Sequence, residues 1–427
     1  MSDLLIRRGR VIDPAGGVDK RADVLIRRNK IERVGRIGQE AAGDACTVID
    51  AHDKLVCPGL IDIHVHCREP GNEGKETIAT AAAAAVAGGF TTIVAMPNTT
   101  PVVDNEAMVQ YVLRQAHSAR QAHVLPAGAI TKGRRGAELA EMGMMMAAGA
   151  VAFTDDGEGV ASSAVMQRAL QYAGLYGAPV MQHCQDPDLA GGVMNSGPMA
   201  VRLGLSGISA AGEEIMLQRD LALLARTGGK YHVQHVSTAG AVAMIRAAKQ
   251  RGLPVTAEAT CHHLLLTDAA CADYDSNTKM APPLRRLEDV QAVRQGVADG
   301  VIDCLATDHA PHSAEEKELE FALAPNGIIA LECAVGLYAK ALIDTGLMDW
   351  PELIARMTAG PAAVIGRPIG TLSAGAPANV TIIDPEADDT VRLADWKSKS
   401  RNCPYDGWRL KARAVTTIVD GQVRFSA

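Results

Sequence analysis

Apolar residues along this chain follow two rhythms. From 3 to 50, and again near 378–385 and 414–425, they alternate with polar ones: LLIRRGRVID, ADVLIRRNKIERVG, ANVTIIDP and AVTTIVDGQVRF, each broken by Gly, Asp or Asn. A period of two with such turn residues predicts short strands. Two β-rich ends around a different middle predict one small β-sandwich assembled from both termini.

The middle carries eight short apolar runs: LIDIHVH (60–66), TTIVAMPN (91–98), HVLPAGAI (123–130), AVAFTDD (150–156), APVMQH (178–183), YHVQHVS (231–237), LPVTAEAT (253–260) and IDCLATDH (302–309). A polar cluster follows each run, and helical patterns such as KETIATAAAAAVAG, SAVMQRALQYAGLYG and GAVAMIRAAKQRG lie between them. Eight strand-then-helix units predict an α/β fold, a (β/α)8 TIM-type barrel. The alternative is an open doubly wound sheet, but no GxGxxG opens a helix after the first run. The expected division is 1–54 for the N-terminal part of the sandwich, 55–365 for the barrel and 366–427 for the C-terminal part. The run TAAAAAVAGG predicts a helix packed closely on the barrel, and MGMMMAAG (142–149) predicts core methionine.

Composition narrows the class. With 48% hydrophobic and only 3% aromatic residues in 427, small aliphatic side chains must fill a sizeable core. A formal charge of −7 leaves no basic surface for nucleic acid. No apolar stretch approaches the ~20 residues that cross a bilayer, and the N-terminus lacks a signal-peptide layout. Nine cysteines without a CxxC pair point to a reducing compartment, so the expectation is a cytoplasmic protein without nucleic-acid or membrane partners.

The polar clusters fall at the C-terminal ends of the predicted strands, the rim where barrels of this kind build their sites. His64 and His66 stand two apart on the first strand and share a face. Asp155-Asp156 follows the fourth strand, His183 the fifth, His235 the sixth, and Asp308 with His309 and His312 the eighth. Any one of these alone reads as a hydrogen-bonded structural residue. Converging from five strands, they offer ligands for two bridged metals or for one tightly held ion. Such a centre acidifies water and polarises a carbonyl, while a carboxylate on the last strand moves a proton to a leaving nitrogen. The implied chemistry is hydrolysis of an amide-like bond, or its reverse.

The blocks HVHCREPGNEGKET, GGFTTIVAMPNTTP, AFTDDG, MQHCQD, HVQHVST, CHHLLLTD, KMAPPLR and ATDHAPH resemble, in order, those of the type I dihydroorotases of the amidohydrolase superfamily. The resemblance implies reversible cyclisation of N-carbamoyl-L-aspartate to L-dihydroorotate, a step of UMP synthesis. It implies zinc, one or two ions per subunit, held by His64, His66, Asp156, His183, His235 and Asp308. The family's spacing, with the aspartate 27 residues before His183, selects Asp156 over Asp155. It implies hydroxide on the metal as nucleophile and Asp308 as the catalytic proton shuttle. Substrate contacts are implied at His66, Arg68, Asn98, His312, Asn326 and Gly327. Arg68 and Asn98 would hold the α-carboxylate, as the planar guanidinium suits. A homodimer and a complex with aspartate carbamoyltransferase are also implied.

Competing readings remain at this stage. Arg68 could pair with Glu69 or Glu73, Asn98 could cap the next segment, and Lys75 and Glu76 read as the solvated start of a helix. Three positions depart from the family pattern: Ala281 for an asparagine, Asn326 for an aromatic and Gln185 for an acid. Other cyclic amidases, such as hydantoinase or allantoinase, and a non-catalytic scaffold are the rival functions.

Overall fold

The computed structural model describes residues 3–38 and 46–427; the remaining part of the N-terminal reading, 1–2 and 39–45, lies outside the described residues. Strands from both ends of the chain form one hydrogen-bonded sheet. The N-terminal strands Leu4–Asp13, Val18–Arg27 and Lys30–Gly35 join the C-terminal strands Val380–Thr390, Arg409–Val419 and Gln422–Ser426 through Leu55–Pro58. That linking strand lies just past the boundary expected at 54. It runs parallel to the first strand and antiparallel to Val380–Thr390, with Val56 beside Val11 and Ile382. The predicted alternation accounts for the packing: Leu4, Ile6, Val11, Val24, Val56, Val380 and Ile418 are all buried in one cluster.

Gly59 carries the chain from this sheet into the barrel. A Cβ there would stand 2.1 Å from Thr91 Oγ1, so only glycine allows the close approach. Beyond it a parallel ring forms. Leu60–Val65 pairs with Phe90–Ala95, which pairs with His123–Pro126. Pro179–Gln182, Lys230–Val233, Val255–Ala259 and Cys304–Leu305 continue in that order. Val65 bridges His309, which closes the circle. Asp62 fastens the seam, accepting bonds from Thr307 N (3.1 Å), Thr307 Oγ1 (2.6 Å) and His64 N (3.0 Å).

The fourth predicted strand, 150–156, is paired on both sides over 151–154: Val151 N donates to Pro126 O (3.0 Å), Thr154 N to Gly128 O (2.9 Å) and Phe153 N to Pro179 O (3.1 Å). Phe153 bridges Gly128 on one side and Val180 on the other. Past Thr154 the Asp155 carboxylate takes the Ile130 and Thr131 amides and Asp156 N donates to Thr154 Oγ1 (3.0 Å), which ends the ladder. The helices form where the patterns place them, among them Ile78–Ala87, Ser163–Leu175 and Ala239–Gln250. Thr77, Ser162 and Thr238 cap their first turns. Ala81, Ala82, Ala84 and Ala85 are buried, as expected for close packing on the ring. Met142 and Met145 join the core, whereas Met144 is exposed. No described helix is long and apolar enough to cross a membrane.

Candidate metal centre

The ends of the first, fourth, fifth, sixth and eighth barrel strands meet at one buried point. Asp156 lies at its middle: Oδ1 is 3.2 Å from His64 Nε2, 3.6 Å from His235 Nε2 and 3.8 Å from His183 Nδ1, and Oδ2 is 3.3 Å from His66 Nε2. Asp308 Oδ1 is 2.9 Å from His66 Nε2 and 3.5 Å from His64 Nε2. All six side chains are buried. Asp155 points elsewhere. Its carboxylate accepts from Ile130 N (2.8 Å), Thr131 N (3.1 Å) and the Thr131 hydroxyl, so it braces the loop while Asp156 faces the imidazoles. Arg134 adds a second brace, its Nη2 donating to the carbonyls of Asp155 (3.3 Å) and Asp156 (2.5 Å).

Backbone strain accompanies this convergence. Arg68 (φ 60°), His235 (φ 31°) and Asp308 (φ 46°) all hold left-handed conformations that cost L-residues energy. The turns that carry these side chains to the rim are thus over-determined by their surroundings.

Whether a metal fits can be judged from unsatisfied atoms. His64 Nε2, Asp156 Oδ1 and His235 Nδ1 are buried without a hydrogen-bond partner, a costly state in the absence of a ligand. Ligand atoms of His64, His66 and Asp308, and those of His64, Asp156 and His235, lie within 4.8 Å of one another. His64 Nδ1 donates to Glu258 Oε1 at 2.5 Å, leaving Nε2 as a lone pair facing the centre. Asn98 Oδ1 accepts from His66 Nδ1 (2.9 Å), and Gln185 Oε1 accepts from His183 Nε2 (2.7 Å). His64, His66 and His183 therefore turn the nitrogen without an outer partner inward, as metal ligands held by outer partners do, and His183 Nδ1 lies 2.9 Å from His235 Nε2. Gln185 supplies the acceptor without the charge of the family's acid. The residues fit a divalent cation. A further set, His232, Glu258 and Cys304, lies behind the site, but His232 is already bonded to Thr256 (2.8 Å) and Glu258 (3.1 Å).

The electrostatics agree. Burial pushes the Asp156 and Asp308 carboxyls up, but the surrounding imidazoles, His64 foremost, overcome it and hold both well below the usual range. Burial lowers His64, yet Asp156, Asp308 and Glu258 raise it well above an ordinary histidine. The acids thus draw positive charge to the point where a cation would sit. Burial and the neighbouring His235 push His183 down to about 4.

Beside the centre lies Arg68. Its Nε donates to Pro311 O (3.0 Å) and its Nη2 is 3.3 Å from His312 Nε2. The two acids that could have paired with it are engaged elsewhere: Glu69 accepts from Ile78 N (2.8 Å) and the Tyr111 hydroxyl (3.0 Å), and Glu73 from Gly71 N (2.7 Å). The guanidinium is left without a carboxylate partner among the described residues. Asn98 orients His66 instead of capping the next segment. The Asn326 carbonyl is 2.9 Å from His312 Nε2, and a Cβ on Gly327 would stand 2.7 Å from His312 Cδ2.

The solvated reading of Lys75 and Glu76 is corrected. Glu76 is fully buried, accepting from Ser398 Oγ, Lys399 N and Thr80 Oγ1, with His309 Nε2 at 3.5 Å. It braces the residue next to Asp308. Lys75 pairs with Glu316 at 2.7 Å. Sequence reasoning also missed Glu258. A glutamate inside the apolar run LPVTAEAT was the available signal, because a charge there demands a partner. His262, fully buried on the turn after that strand with neither ring nitrogen bonded, was missed too.

Residues 53–241 match the family described as dihydro-orotase-like. The chain is 50% identical over 421 residues to a dihydroorotase from Pelotomaculum thermopropionicum, covering 98% of each chain. It is 52% identical over 427 residues to one from Anaeromyxobacter dehalogenans, covering 99% of this chain and 98% of the relative. The chain belongs to the dihydroorotase family. The L-hydantoinase (dihydropyrimidinase) from Arthrobacter aurescens superposes with a TM-score of 0.89 at 25% identity, over 100% of this chain and 96% of that one. Membership of the dihydroorotase family, with this barrel and this ligand set, implies an enzyme with a metal cofactor and a small-molecule substrate.

Proposed function

We propose that this protein is a dihydroorotase, a cyclic amide hydrolase converting N-carbamoyl-L-aspartate to L-dihydroorotate and back in UMP synthesis. Family membership supplies the class. The observation that carries the substrate is the partly buried Arg68 guanidinium, unpaired with any carboxylate among the described residues and set beside a cluster of four imidazoles and two acids. A ring bearing a carboxylate would complete it; hydantoin and allantoin rings bring no such group.

In this reading His64, His66, Asp156, His183, His235 and Asp308 hold zinc, one or two ions per subunit. The chemistry zinc supplies when bound is acidification of water and polarisation of the amide carbonyl. Arg68 grips the substrate carboxylate through two parallel charge-assisted bonds. Asn98, its Oδ1 engaged by His66, offers its Nδ2 to the same group, and His312 with Asn326 and Gly327 closes the other side. In ring opening, Asp308 takes a proton from the attacking water and gives it to the departing ring nitrogen. In synthesis it takes that proton from the ureido nitrogen as the ring closes and water leaves. Ala281, in place of the family asparagine, leaves only backbone for a contact at that position. The cytoplasmic location, homodimer and complex with aspartate carbamoyltransferase belong to the same reading and rest on family resemblance.

Assaying dihydroorotate, hydantoin and allantoin side by side tests the proposal. Turnover of dihydroorotate alone supports it, with Asp308→Ala retaining metal and losing turnover. Preference for hydantoin or allantoin overturns the substrate, and a metal-free protein without turnover points to the scaffold.

A further inference from the structure

Two lysines lie where an ammonium group is expensive to keep. Lys279 is 5% exposed and Lys317 8%. Neither forms an ion pair among the described residues, so backbone carbonyls must compensate the lost hydration. Lys279 Nζ donates to Ala322 O (2.9 Å) and Ala324 O (2.6 Å). Lys317 Nζ donates to Pro325 O (2.9 Å) and Gly327 O (3.1 Å). All four acceptors belong to the loop 322–327.

That loop has one end in solvent and the other at the substrate pocket. At the outer end Leu323 is 68% exposed, between the buried Phe321 and Ala324. At the inner end the Asn326 carbonyl and Gly327 pack against His312, which in turn meets Arg68. Lys279 also ties in through its backbone, its carbonyl accepting from Gly327 N at 2.9 Å. It stands two residues before Ala281, so one side chain links both segments where this chain departs from the family pattern. Asn402 completes the frame, its Nδ2 donating to Ala310 O (2.9 Å) and Gly327 O (3.0 Å).

We propose that Lys279 and Lys317 are positioning residues: their two buried amino groups pin the 322–327 loop by its carbonyls and so fix the wall of the substrate pocket beside His312. The proposal rests on the dihydroorotase reading for the identity of the ligand. The lysines do not touch substrate; they hold in place the backbone that does. Removing one pin frees carbonyls that water can satisfy, so the loop loosens while the metal centre, built on other strands, stays intact.

The test uses the metal-loaded full chain with Lys317→Met and Lys279→Met. Each variant is predicted to raise KM for dihydroorotate about tenfold or more while kcat stays within about threefold, the signature of lost ground-state binding. Bound metal should be unchanged, and amide exchange across 322–328, measured without substrate, should quicken by about tenfold or more. Unchanged KM and exchange, or a fall in kcat at constant KM, overturns the proposal. Should Lys317→Met not fold, Lys279→Met decides alone. If neither folds, the lysines are core supports and the pinning role is refuted. Wild-type protein inert toward dihydroorotate would refute the reaction assignment, while exchange in the variants would still decide the pinning.

Discussion

Replacing Arg68 with methionine separates a ligand-binding guanidinium from a structural one. In the free protein the side chain makes one bond to Pro311 O (3.0 Å) and approaches His312 at 3.3 Å, with no acid opposite. Burial pushes it down to about 10, the mark of a cation waiting for a partner. A substrate carboxylate would gain two charge-assisted bonds, each contributing about 1.5–3 kcal/mol. Their loss should cost about 3 kcal/mol or more in kcat/KM, roughly a hundredfold. Stability should move little: losing the Pro311 bond costs about 1 kcal/mol, and removing a desolvated cation offsets it. Methionine shares the left-handed penalty at φ 60°, so the backbone term cancels. Arg68→Lys should fall between, since an ammonium lacks the two-pronged geometry. Steady-state ring opening and denaturant midpoints read both quantities. Unchanged kcat/KM, or a large loss of stability with little kinetic effect, would refute the reasoning.

Two further outcomes follow from buried partners. Glu258→Gln keeps the shape but removes the charge facing His64 Nδ1 at 2.5 Å; metal affinity should drop about 10- to 100-fold in chelator competition, and unchanged affinity would remove Glu258 from the centre. Burial lowers His262 to about 4, and burial with the Arg68, Lys75 and Lys317 charges lowers His312 to about 3, against about 6.5 when unfolded. Between those values the unfolded chain binds more protons, so stability rises with pH. From pH 6.5 down to 5 the metal-free protein should lose up to about 2 kcal/mol for each histidine. The raised His64 acts with opposite sign above pH 6.5. The buried acids Asp62 and Glu332, pushed up to about 7, and Asp220, to about 6, act with opposite sign within the window, so each histidine's share is read as wild type minus its His→Gln variant. A wild-type-minus-variant difference that stays flat between pH 5 and 6.5 for both His262→Gln and His312→Gln would contradict the buried neutral rings.

Much of the site was legible because a barrel converts sequence order into radial position. His64, His66, Asp156, His183, His235 and Asp308 each end a strand-like run, and parallel pairing brings such ends to one rim. The choice of Asp156 over Asp155 needed family spacing, since local pattern treats adjacent aspartates alike; the structure distinguishes them by what each carboxylate meets. Glu76 was illegible for a different reason, and for Glu258 the apolar run LPVTAEAT signalled a partner without identifying it. Their partners, His64 and His309, lie far away in sequence, and in the polar stretch around Glu76 no local rule tells a solvated glutamate from a buried, bonded one. The fourth strand stops at Thr154, short of the predicted 156, for a similar reason: the Asp155 carboxylate takes the Ile130 and Thr131 amides, partners that periodicity alone does not reveal. Leu55–Pro58 falls on the barrel side of the boundary expected at 54, whereas its hydrogen-bond partners belong to the terminal sheet.

The most direct test of the centre is elemental analysis and dihydroorotate ring opening on one preparation, before and after chelation. One or two zinc ions per chain, turnover lost with the metal and regained on its return, is the predicted result. A chain that opens the ring at full rate with its metal removed would contradict it.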